Sequence, residues 1–196
     1  MNRRELLQRT SLVIGGSLLG ADSLLAKTIN WDALDDDTLS AKGYGIFSKA
    51  QVKLLNEVAD TIIPTTDTPG AKAAKVGPFM AVIVSDCYER PKQKRFLDGL
   101  ITLDQACKNS HEKTFLHCSP QLRHDLLVEL DAQQKAYSKT KKKDDPDHYF
   151  RVIKDLVLWG YFTSEIGATK ALRSVDYPGR YETIDYKKGD RAWGQY

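Results

Sequence analysis

Along the middle of this chain apolar residues return every three or four positions in run after run, and each run is closed by proline, glycine or a polar turn. That period buries one face of an α-helix, whereas a half-buried strand would alternate every second residue. The first run is the best bounded. Ser48 followed by Gln51 has the pattern of a capping box, with Phe47 placed before it as a hydrophobic staple. Val52, Leu55, Ala59 and Ile62 then form a stripe, widened by Leu54, Val58 and Ile63. Pro64 stops it, because proline cannot donate the next helical hydrogen bond.

Four more runs follow. The stretch from Pro64 to Ala71 is dense in turn formers and reads as a loop before an apolar run from Val76 to Tyr88. Val82, Ile83 and Val84 favour a strand locally, but strict alternation is missing and the neighbours are helical, so a helix is expected. Pro91 suits the first turn of a third helix, in which Phe96, Leu97, Leu100, Leu103 and Ala106 recur. Ser119-Pro120 starts a fourth, lined by Leu122, Leu126, Leu127 and Leu130. Lys139, Lys141, Lys142 and Lys143 are balanced by Asp144-Asp145 before Pro146, the pattern of a solvated linker. After it, Tyr149, Phe150, Ile153, Leu156, Val157, Trp159 and Tyr161 form an apolar band nearly continuous around a helix, which should therefore be central.

The expected fold class is all-α: a single helical-bundle domain of about five to six helices with an irregular, aromatic-rich C-terminal tail. Beyond Ser174 the tail has no period. Its Tyr177, Tyr181 and Trp193 are of the types favoured at protein interfaces, and they are the expected partner contacts. Packing on their own bundle is the other reading.

At the N-terminus Arg3 and Arg4 precede Leu6 and Leu7 and a glycine-containing apolar stretch from Ser11 to Leu19. A membrane span needs about 20 apolar residues, and this stretch is shorter and ends before Asp22. It resembles a twin-arginine signal peptide, which implies export of an already folded chain to the periplasm. The domain reading is a signal peptide at 1–26, a flexible tether at 27–46 and the helical domain at 47–196. Cys87, Cys107 and Cys118 are an odd number for an oxidising compartment. One pair and one leftover thiol is the simplest arithmetic, and Cys107 with Cys118 is the favoured pair because both fall near one helix junction.

Catalytic signatures are missing: the chain contains no phosphate-cradling glycine loop, CxxC, HExxH or GxSxG. His111, His117 and His124 with Cys118 match no common ligand spacing, and surface or capping roles are expected for them and for His148. Asp60 and Asp104 sit among apolar neighbours, where a carboxylate acts either as an acid or base of raised pKa or, more commonly, as a cap or ion-pair partner. Net charge is +3 with the signs interspersed, which gives no field for nucleic acid.

The segment Ala59-Asp60-Thr61-Ile62-Ile63-Pro64 with Thr68-Pro69-Gly70-Ala71 resembles the gluconate 2-dehydrogenase subunit 3 family. So do Phe96-Leu97-Asp98-Gly99-Leu100 with Asp104, Leu126-Leu127 to Asp131, Phe150 through Gly160-Tyr161-Phe162-Thr163-Ser164-Glu165 with Gly167, and Tyr177-Pro178-Gly179. The likeness runs from Phe47 to Gly179. It implies the small, non-catalytic subunit of a flavin-dependent sugar or sugar-acid dehydrogenase, without a cofactor of its own. The implied partners are a large flavoprotein of the glucose-methanol-choline type carrying FAD, a c-type cytochrome, and the twin-arginine translocase. An independent periplasmic enzyme or sugar-binding protein using Asp60, Asp104 and Glu165 is the competing reading.

Overall fold

The structure is a computed structural model that describes residues 43–174, 183, 185 and 187–194. Arg3, Arg4, Leu6, Leu7, Tyr177 and Tyr181, and with them the expected signal peptide and most of the expected tether, lie outside those residues. Five α-helices make the body: α1 Lys49–Ile62, α2 Val76–Cys87, α3 Arg90–His111, α4 Pro120–Thr140 and α5 Tyr149–Phe162. Among the described residues the protein is all-α apart from a two-stranded parallel pairing of Arg173–Ser174 (β1) with Trp193–Gly194 (β2).

Local chemistry sets the helix ends. Ser48 caps α1 through the expected box, its hydroxyl accepting from the Gln51 amide while the Gln51 side chain accepts from the Ser48 amide. Each reciprocal bond satisfies a donor that the first turn would otherwise leave orphaned. Pro91 opens α3, and Ser119 caps α4 ahead of Pro120. Val82, Ile83 and Val84 lie within α2, so tertiary burial of Val82 and Val84 overrides their local preference. The last residues read as tether, Gly43 to Ile46, are held on α2. Tyr44 donates its hydroxyl to Asp86 at 2.8 Å, and the Ile46 amide donates to the Ser85 hydroxyl at 3.3 Å.

Helix α5 is central, packing against all four other helices. Phe150, Ile153, Val157 and Tyr161 from α5 meet Leu55, Val58, Met80, Val84, Leu100 and Leu103 in one core. Each such side chain removed from water contributes roughly 1.5–3 kcal/mol. The α4–α5 pairing also carries a charged tie, in which Asp131 accepts from Lys154 at 2.6 Å and from Lys135 at 2.6 Å. The lysine-rich linker pairs within itself: Lys141 reaches Asp147 at 2.6 Å and the Asp145 carboxylate accepts from the Lys142 amide.

Between α3 and α4 the chain makes a short 3-10 turn, Phe115–His117, organised by Arg123. The Arg123 guanidinium donates to the carbonyls of Phe115 (2.9 Å) and Leu116 (2.7 Å) and to the Glu57 carboxylate (2.6 Å), and lies over the Phe115 ring. Lys72 closes the same carboxylate at 2.9 Å. Burial pushes the Glu57 carboxyl up, but the two cations outweigh it and hold its pKa below the ordinary value.

Candidate functional site

The sequence-predicted carboxylates do not converge. Asp104, on α3, accepts the Phe115 amide at 2.8 Å and pairs with Lys108 at 2.9 Å, so it fastens the 3-10 turn to α3. Asp60 is half-buried near the end of α1, and Glu165 is exposed beyond α5. No hydrogen bond or ion pair among the described residues joins any two of the three. His148 caps α5, its Nδ1 accepting from the Phe150 amide, and His117 Nδ1 lies 2.6 Å from the Thr114 hydroxyl. Among the described residues no three His, Cys, Asp or Glu side chains gather as a metal site would require.

The two most specific sequence motifs meet in space. After Pro64 the loop turns back on α1, with the Ala71 amide donating to the Ile63 carbonyl at 2.8 Å and the Gly70 amide to the Thr65 hydroxyl at 3.0 Å. Tyr161, 92 positions further on and almost fully buried, donates its hydroxyl to the Pro69 carbonyl at 2.7 Å. The T-P-G-A loop is therefore a packing joint that registers α5 against the α1–α2 connection. Ile62 and Ile63 pack against the core beside it.

Next to that joint lies an aromatic face that includes Trp159, which periodicity assigned to the apolar band of the central helix. Trp159 is 50% exposed and Phe162 38% exposed, although both belong to the central helix. They stand three residues apart, hence on one side of α5. From α2, Phe79 meets Trp159 edge to face, with ring centroids 5.1 Å apart and an interplanar angle of 75°. Gly160 makes this possible. A Cβ there would stand 2.6 Å from the Phe79 ring, so only glycine lets α2 bring its phenylalanine against α5. Exposed apolar side chains standing singly are ordinary; here two large exposed aromatics of α5 lie on one side of the helix, with Phe79 of α2 against one of them. The signal in the sequence was the excess of the α5 band: a helix apolar on every side has more than a small bundle can cover.

The remaining sequence-predicted residues fall elsewhere. Trp193, 54% exposed, sits in β2 opposite Arg173, whose guanidinium lies over its indole ring. Arg191 donates to the carbonyls of Thr169, Lys170 and Leu172, and Arg173 pairs with Asp190 at 3.2 Å, so this part of the tail is fastened to its own domain. Cys107 and Cys118 are buried neighbours with their Sγ atoms 2.9 Å apart, as thiols rather than a bonded pair, and Cys87 is an exposed thiol. A cleft of about 690 Å³ is lined by Tyr88, Phe96, Tyr149, Lys92 and Lys141 among others, and its Lys141 is already engaged by Asp147.

No curated protein and no solved structure matches the chain. The family described as Gluconate 2-dehydrogenase subunit 3 matches it over residues 49–186, which takes in all five helices and the Ile63, Pro69 and Tyr161 joint. With most of its length so matched, the chain belongs to the Gluconate 2-dehydrogenase subunit 3 family, whose name is that of one subunit of a dehydrogenase complex.

Proposed function

We propose that this chain is the non-catalytic small subunit of a flavin-dependent sugar, sugar-acid or glycoside dehydrogenase, stabilising the large catalytic subunit and carrying it through twin-arginine export to the periplasm. The observation that carries the reading is the aromatic face of Phe79, Trp159 and Phe162 on a member of a subunit family. Partly exposed aromatics such as Trp159 and Phe162, carried on a packed helix, are suited to anchor a partner, because aromatic side chains have few rotamers to lose when they are covered. In this reading the FAD and the hydride chemistry belong to the large glucose-methanol-choline-type subunit, and a c-type cytochrome takes the electrons. This chain supplies the export signal at Arg3, Arg4, Leu6 and Leu7 and a surface on which the large subunit folds.

Co-purification tests it. The chain, tagged at its C-terminus and isolated from the periplasm of its host, is expected to bring down a stoichiometric larger chain with a flavin absorption spectrum. Changing Arg3 and Arg4 to Lys is expected to remove both chains from the periplasm. A colourless monomer would overturn the subunit reading, and sugar binding by that monomer would return attention to Asp60, Asp104 and Glu165. An unchanged periplasmic yield of the Arg-to-Lys variant would overturn the export role alone.

A further inference from the structure

The junction of α3 and α4 holds two buried sulfurs in contact. Cys107 lies near the end of α3 and Cys118 follows the 3-10 turn, eleven positions later; both are almost fully buried, and their Sγ atoms are 2.9 Å apart. The segment between them is fixed from both sides. Asp104, one turn before Cys107, holds the Phe115 amide, and Arg123, one turn into α4, holds the Phe115 and Leu116 carbonyls. A bonded pair sits at about 2.05 Å, so less than an ångström of approach separates these thiols from a disulfide, with no rearrangement of the helices. Cys87, exposed at the end of α2, has no such neighbour among the described cysteines.

We infer that Cys107 and Cys118 are a disulfide-forming pair that staples α3 to α4, and that Cys87 remains a free thiol. The oxidant is a thiol-reactive disulfide, either a small-molecule disulfide or that of a thiol–disulfide oxidoreductase. One cysteine thiolate attacks it and forms a mixed disulfide, releasing one thiol. The second thiolate then attacks the protein-side sulfur, forming the Cys107–Cys118 bond and releasing the second thiol. Two S–H bonds are exchanged for one S–S bond, and the two electrons and two protons leave on the oxidant as two thiols. Burial, reinforced by Cys118, pushes the Cys107 thiol up to about 12, so thiolate is scarce while the junction is closed. Oxidation therefore proceeds through local opening of the Glu112–Ser119 connection and is slower than alkylation of Cys87.

The test uses the full chain, purified under reducing conditions, desalted, and incubated with oxidised glutathione. It is then denatured without reductant and alkylated with a maleimide-polyethylene glycol that shifts each free thiol on a gel. The Cys87→Ser chain is expected to give no adduct before reduction and two after it, and the natural chain at most one, on Cys87, and then three. Reductant is expected to lower the melting temperature of the oxidised protein by roughly 5 °C or more, the scale set by a closed loop of about a dozen residues. The variant carrying both Cys107→Ala and Cys118→Ala should show no such shift. Three adducts after oxidation, a stable glutathione adduct on Cys107 or Cys118, or a cross-linked peptide containing Cys87 would each overturn the pair. The readout needs only purified chain and added glutathione, so it stands or falls independently of the export and subunit reading.

Discussion

Two parts of this small bundle treat their exposed chemistry in opposite ways. At the α3–α4 junction every strong group has been answered from within: Arg123 meets two carbonyls and Glu57, Lys72 meets the same carboxylate, and Asp104 meets a backbone amide and Lys108. On the outer side of α2 and α5 Phe79 meets Trp159 where Gly160 lets the two helices approach, and Trp159 and Phe162 stay partly in water. The first arrangement costs desolvation and recovers it through paired charges. The second forgoes the hydrophobic stabilisation that covering Trp159 and Phe162 would supply, about 25 cal/mol per Å².

The largest effect is expected from Arg123→Ala. It leaves Glu57 with only the exposed Lys72 and frees two carbonyls of the 3-10 turn, at a cost of about 3–5 kcal/mol, seen as a melting temperature lower by roughly 10 °C. Little change would mean that the junction is not the closed region described above. Trp159→Ala sharpens the contrast from the other side. Its melting temperature should move by only a few degrees, while affinity for the large subunit in titration calorimetry falls by about 2 kcal/mol, roughly thirtyfold. Loss of stability without loss of affinity would return the aromatic face to the fold.

Tyr161→Phe keeps the ring and removes one hydrogen bond to Pro69. We expect about 1 kcal/mol in chemical denaturation and unchanged partner binding. Acid should act on the ion pairs and on the half-buried His148 rather than on the aromatic face. Lys135 and Lys154 hold the Asp131 carboxyl far below its ordinary pKa, Lys141 lowers that of Asp147, the paired cations lower that of Glu57, and burial lowers that of His148. For all four the folded pKa lies below the unfolded one, so the unfolded chain binds protons first and stability is lost as pH falls. The loss starts below about 6.5 with His148 and steepens below about 4.5 as the carboxylates are reached. A melting temperature flat from neutrality to pH 4 would contradict it. Smallest of all, Asp98→Asn removes a solvent-exposed pair with Lys94 and should change stability by no more than about 0.5 kcal/mol.

What could be read in the sequence was local. The capping box at Ser48 and Gln51, the prolines opening α3 and α4, and the apolar period each act within one or two turns, and each is found where expected. What could not be read depended on distant partners. Arg123 is one arginine among polar neighbours until Glu57, 66 positions earlier, folds against it. Gly160 reads as a helix weakener until Phe79 is seen beside it. Helix α2 starts from Lys75 in a left-handed conformation with no side-chain cap, so no start signal precedes it in the sequence. The exposure of Trp159 was missed because periodicity reports that a residue is apolar, and what covers it is a tertiary matter.

The position of α5 has a consequence for how the chain is made. Among the described residues it is the last of the five α-helices and yet the one against which the other four pack. Helices α1 to α4 emerge from the ribosome first, and short isolated helices are marginal in water. Until α5 arrives the core they share lacks Phe150, Ile153, Val157 and Tyr161, and the Tyr161 hydrogen bond that locks α5 to the Pro69 loop can form only after a closure spanning 92 positions. Folding of this bundle thus waits for translation to pass α5, and a nascent chain shorter than that offers its apolar faces to chaperones.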